Sequence, residues 1–353
     1  MIIAVDAAGG DYAPHEVVKG AMKAREEFGV EIALVGRMAI LHVLVGQKLT
    51  RSGISMVDAS EAIAFNEHPM KAIRNKPDSS IVVGTNLVKK GEADAFVSAG
   101  NTGAVFMASL LSLGKVPGVE RPAIGTVLDI NPAAPVLLID AGANVDCRPN
   151  HLVQFAQMGT LYAENVLGIK SPRIGLLSNG AEEEKGNRLV IEANKLMAQS
   201  GLNFKGNIEG HDIMNSTADV VITDGFTGNI VLKTIEGLGE AFRIGLGDVS
   251  DTLSTHNVRG RLLLNLVGLH SWAAKLDYRE YGGACLLGVQ GNIVIAHGRS
   301  QARAIKNAIG LAKQSVERGI LQVMQGYTEQ FRRFGSAEEN GNGLRERNST
   351  DDG

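Results

Sequence analysis

Short apolar runs alternate with segments of helical period along most of the chain. Strand-like runs occupy residues 2–6, 31–36, 54–58, 93–97, 123–128, 136–140, 173–177 and 218–223, mostly separated by helical patterns. Such alternation predicts a mostly parallel, Rossmann-like sheet between two layers of helices, a three-layer α/β/α sandwich. Helix starts are legible at Pro14 and Pro149, each at a first helical position ahead of an apolar stripe. Near residue 235 the rhythm stops, and 236–277 reads as an inserted, protruding helical arm. Strands resume at 284–289 and 292–296, and 303–319 is again helical in period. Residues 335–353 carry almost nothing apolar and are expected to be a disordered tail, leaving one α/β domain over 1–334.

Several strand-like runs end in glycine and small polar residues. Asp6-Ala-Ala-Gly9-Gly10-Asp11, Ser98-Ala-Gly-Asn101-Thr102-Gly103, Gly142-Ala-Asn144, the 179–187 stretch and Asp224-Gly225-Phe-Thr227-Gly228-Asn229 all have this form. Glycine lets backbone N–H groups approach a ligand closely, so such loops suit oxyanions. In a parallel sheet they would lie along one rim. The first loop lacks both the G-x-G-x-x-G spacing and a Walker lysine, which counts against dinucleotide and ATP; a simple glycine turn fits it equally.

Within these loops, Lys185 stands beside Glu182, Glu183 and Glu184 and ahead of Gly186-Asn187. A lysine there can bind phosphate or protonate a leaving thiolate; a solvated helix start has the same pattern. Asn229 can donate its amide to an oxyanion, with the backbone around Gly225–Gly228 holding phosphate oxygens, or it can cap the next helix; Asn101 and Asn144 share that ambiguity. His297 and Arg299 follow an apolar strand and can touch an anion, although a satisfied strand-end imidazole explains His297 as well. His68, Lys71, Arg74 and Lys76 fit a phosphate, an acidic protein or a solvated face. Cys147 is the one thiol beside a candidate loop, but no nucleophile signature accompanies it. In the arm, Leu262, Leu266, Leu269 and Trp272 lie on or beside one apolar face between cations, as in a subunit contact or a helix at a membrane interface.

Composition narrows the picture. A net charge of -3 over 353 residues, without an aromatic-interleaved basic patch, makes nucleic acid an unsuitable partner. Two cysteines, no signal-like start and no apolar stretch of membrane-spanning length predict a cytoplasmic protein. The 43 glycines have no collagen-like period and reflect many tight loops. No His, Cys and carboxylate set has metal-ligand spacing, and no cofactor is expected.

Taken together, Gly9-Gly-Asp11, Glu67-His-Pro69, Asp78-Ser-Ser-Ile81, Ser98–Gly103, Gly142–Cys147, Glu184-Lys-Gly-Asn187, Gly206-Asn-Ile-Glu-Gly210, Asp224–Asn229, Tyr281-Gly-Gly283 and the 302–307 segment resemble the acyl-acyl-carrier-protein:phosphate acyltransferases of bacterial phospholipid synthesis, the PlsX family. The resemblance covers about residues 1–320. It implies transfer of a fatty acyl group from acyl carrier protein to inorganic phosphate and a sandwich similar to phosphotransacetylases. It further implies a homodimer, peripheral membrane contact through the arm, and functional roles for Lys185 and Asn229. Ala8, Cys285 and Gln290 depart from the family pattern and bear on acyl-pocket detail rather than on the reaction. A coenzyme-A phosphotransacetylase and a non-catalytic carrier-protein or membrane scaffold are the competing functional classes.

Overall fold

The computed structural model describes residues 1–46, 53–128, 134–254 and 282–335, with 242–254 and 335 as backbone alone. Its strands are β1 (Ile2–Asp6), β2 (Glu31–Gly36), β3 (Ile54–Asp58), β4 (Ala95–Ser98), β5 (Ala123–Leu128), β6 (Val136–Ile139), β7 (Ile174–Leu177), β8 (Phe204–Ile208), β9 (Val220–Ile222), β10 (Ala284–Leu287) and β11 (Asn292–Ile295). They form one sheet in the order β3-β2-β1-β4-β11-β10-β5-β6-β9-β7-β8.

Period-two alternation sends successive side chains to opposite layers. Leu137 and Ile139 enter the core beneath α1 (His15–Phe28), α6 (Pro149–Tyr162), α7 (Arg188–Ala198) and α10 (Ala302–Glu317), while Val136 and Leu138 face the other way. On that second face, α3 (Pro69–Asn75), α4 (Ser80–Lys89) and α5 (Thr102–Ser112) cover one half of the sheet, and α8 (Gly210–Met214) and α9 (Gly225–Ser254) the other. α2 (Met38–Val45) buries Leu41 and Val45 in the first core. Residues 320–334, unassigned by pattern, form α11 (Ile320–Gly326) and α12 (Thr328–Gly335), and buried Gln154 ties α12 to α6 by donating to the Phe331 carbonyl at 2.9 Å.

The expected single rim is not observed. β3, β2, β1, β4 and β11 run parallel to one another, but β10, β5 and β6 are joined by antiparallel pairings, so β6, β9, β7 and β8 run opposite to the first group. The carboxyl ends of the two groups therefore open on opposite edges. α9 runs without interruption from Gly225 to Ser254, through the point where the inserted helical arm is expected to begin, and 255–281 lie outside the described residues. The tail at 336–353 lies outside them as well.

Candidate active site

One group of loops is built around Asp140, which follows β6. Its buried carboxylate accepts from the backbone N–H groups of Ile124 (3.0 Å), Gly142 (3.2 Å), Ala143 (3.0 Å) and Asn144 (2.7 Å), and from Asn144 Nδ2 (2.8 Å). Burial pushes this carboxyl above its ordinary pKa, while the N–H donors pull it back toward the charged form. The start of α9 rests directly on this turn: a Cβ on Gly225 would stand 2.8 Å from an Asp140 carboxylate oxygen, and one on Gly228 would collide with the Asp140 carbonyl. Asp224 caps α9 by accepting from Thr227 N and Thr227 Oγ1, both at 2.9 Å. Asn229, one turn into the helix, thereby faces Gly142, whose φ of +137° suits glycine alone.

Four candidate asparagines differ in what their amides do. Asn101 caps α5 by accepting from Ala104 N (3.0 Å) and donates to the carbonyls of Ala64, Phe65 and Glu67 (3.1–3.2 Å). Asn144 Nδ2 spans the Pro122 carbonyl and Asp140, both at 2.8 Å. Asn187 caps α7 by accepting from Val190 N at 3.0 Å. Asn229 is exposed, and its amide has no hydrogen-bond partner among the described residues. Lys185 is likewise exposed and makes no ion pair with Glu182, Glu183 or Glu184 among the described residues. Because β7 and β9 are adjacent and parallel, the loops carrying Lys185 and Asn229 leave the same edge.

The second group belongs to the other half. Buried Asp6, at the end of β1, accepts from Ser98 Oγ (2.6 Å) and Ala8 N (3.0 Å), and Asp11 N donates to the Gly298 carbonyl (2.8 Å). Gly9 packs against Asp6 and the Gly100 amide so tightly that a side chain would clash with both, Gly10 lies against the Gly298 carbonyl, and Gly103 lies against Pro69. These contacts bring Gly9, Gly10, Asp11, Thr102 and His297 to one edge. His297 Nδ1 accepts from Arg299 N (3.1 Å), which leaves the proton on Nε2, 3.6 Å from Glu236. Burial, then Lys233, lowers the imidazole pKa, with Glu236 acting against them.

α9 joins the two groups. Asn229, Lys233 and Glu236 share one helical face, and together with Thr102, Gly142 and His297 they line a cavity of about 340 Å³ between α9 and β5. Lys233 Nζ pairs with Glu236 at 2.7 Å. Sequence reasoning missed Lys233 and Glu236, although the helical period running on from Asn229 marks both. Lys185 does not line this cavity, nor do Ala8, Cys285 and Gln290; Cys285 points into the opposite core beside Tyr162 and Ser315.

Cys147 is half-buried, 3.5 Å from the Asn144 carbonyl. Burial, then the charges of Asp140 and Asp224, push its pKa up to about 12, so it remains a thiol at neutral pH. Lys76 is held by Glu67 (2.7 Å) and the Ala62 carbonyl (2.8 Å), while Lys71 and Arg74 are exposed on α3. Leu262, Leu266, Leu269 and Trp272 lie outside the described residues. Among the described residues no His, Cys, Asp and Glu cluster suited to a metal occurs, and no helix is long and apolar enough to cross a membrane.

The fold is that of the phosphotransacylases. A phosphotransacetylase from Streptococcus pyogenes superimposes with a TM-score of 0.56 at 18% identity, covering 92% of this chain and 93% of that one. A branched-chain phosphotransacylase from Enterococcus faecalis gives 0.55 at 14%, covering 90% and 99%. A family model described as fatty acid synthesis protein matches residues 1–323, and the chain belongs to that family. Proteins named phosphate acyltransferase from Dehalococcoides mccartyi and Desulforamulus reducens are 56% and 48% identical to it, covering 91% and 92% of this chain and 92% and 96% of theirs.

Proposed function

We propose that this chain transfers a fatty acyl group from the thioester of acyl carrier protein to inorganic phosphate, supplying acyl phosphate for phospholipid synthesis. The observation that carries the catalytic assignment is the contrast among the loop residues: Asn229 and Lys185 keep their polar ends unengaged among the described residues, on loops leaving adjacent strands. Kinship to proteins named phosphate acyltransferase supplies the reaction class. A phosphate oxygen attacks the thioester carbonyl carbon, a C–O bond forms, and the C–S bond breaks to release the carrier thiolate. Phosphate is already an oxyanion, so positioning it matters more than a strong base, and can be worth ~7–11 kcal/mol. Asn229 Nδ2 donates to the developing oxyanion, a contribution of about 2.7–4 kcal/mol; Lys185 holds phosphate or returns a proton to the thiolate. The homodimer and the membrane contact of the arm belong to the same proposal, and sedimentation and vesicle flotation test them.

The deciding experiment incubates the full chain with hexadecanoyl acyl carrier protein, with and without phosphate, and measures acyl phosphate and free carrier. Phosphate-dependent release of both is expected. Preferential turnover of short acyl-coenzyme A would instead make the chain a phosphotransacetylase, and no turnover by folded protein would leave the scaffold.

A further inference from the structure

Building on that acyl-transfer proposal, we infer that the cavity between β5 and α9 receives the donor's fatty acyl tail and that its floor and roof set the chain length. Ile124, Thr126 and Leu128 alternate along β5 and present one face to it, continued by Ala284 of β10 and Ile295 of β11. Leu232 and Ile235 of α9 close it from above. The wall is graded in polarity. Ile124, Leu128, Ile295 and Ile235 are only 4%, 2%, 6% and 7% exposed, whereas Thr102, Asn229 and Lys233 are exposed and mark the mouth, with Glu236 and His297 half-buried on the same wall. A thioester needs this order: carbonyl beside an amide donor, tail in an apolar interior. A bare phosphate in that interior would lose hydration without replacement. About 340 Å³ is within the ~300–1,000 Å³ typical of ligand cavities.

Two fillings test the assignment. Ala284→Leu enlarges the half-buried floor, and Leu232→Phe enlarges the roof where the side chain is already part exposed. Each buried methylene contributes about 0.8 kcal/mol, roughly fourfold, so excluding two lowers kcat/KM for hexadecanoyl carrier protein by more than about tenfold. Octanoyl carrier protein should be turned over as by the parent. Displacement of a fluorescent long-chain fatty acid from the full chain gives a readout independent of turnover, and both variants should weaken it. Unaltered chain-length ratios and probe affinity in the fillers would overturn the assignment. If Ala284→Leu fails to melt cooperatively, Leu232→Phe decides. Probe binding that weakens as expected in a protein without phosphate-dependent turnover would keep the cavity and reject the reaction.

Discussion

Asparagines that look alike in the chain separate only when their partners are seen. Asn101 spends its amide on carbonyls at 64, 65 and 67, and Asn144 on Pro122, contacts 22 to 37 residues distant that no local pattern reveals. Asn101→Ala would strand three carbonyls and one N–H, so it should destabilise by more than about 2 kcal/mol in urea titration. Asn229→Ala breaks no such contact and should keep the parent melting behaviour while losing roughly 100-fold or more in turnover. Near-normal turnover of the folded variant would remove the oxyanion role. Cys147 admits a sharper statement than its sequence allowed. With its pKa near 12 it stays protonated, and Cys147→Ser should turn over like the parent; loss of activity without loss of stability would return the thiol to the mechanism.

Among the elements, periodicity was informative wherever both layers pack tightly. β1, β2 and β5 coincide with their apolar runs because each side chain has a fixed face to bury, and β3 coincides as well although it is the opposite edge strand. β8 escaped notice: Gly206, at φ +94°, interrupts the alternation of an edge strand that packs less of its length. α9 was legible at its start, and its single run from Gly225 to Ser254 passes through residue 235, where the βα rhythm of the chain stops. Its contact with the Asp140 turn yields a specific expectation. Alanine usually favours a helix over glycine by about 1 kcal/mol, yet Gly228→Ala would drive a Cβ into the Asp140 carbonyl. The collision should prevail and lower stability by about 1–3 kcal/mol, displacing Asn229 and reducing turnover as well. A stabilised variant would show that α9 is free to lift from the turn.

At the scale of the molecule, strand directions decide which loops can meet, and those directions are invisible in any one segment. The βα rhythm announces parallel pairing, but β5 and β10 each reverse it with short runs that look like all the others. Opposed edges are then joined by α9, which carries Asn229 of one half toward His297 of the other. Stability of the whole assembly should carry an acid-side signature from His151 at the start of α6. Its Nδ1 accepts from Arg148 N (3.1 Å), its Nε2 lies 3.1 Å from Glu120, and burial, followed by the charges of Arg121, Arg148 and Lys115, lowers its pKa to about 4. An unfolded histidine takes up its proton near pH 6.5, whereas the folded one resists until about pH 4. The unfolded chain therefore binds more protons throughout that window, and unfolding free energy should fall as pH drops from 6.5 to 4. His151→Gln, less stable at neutral pH, should lose less over the same interval when both are titrated with urea. Parallel pH profiles for the two proteins would place the acid sensitivity in the carboxylates instead.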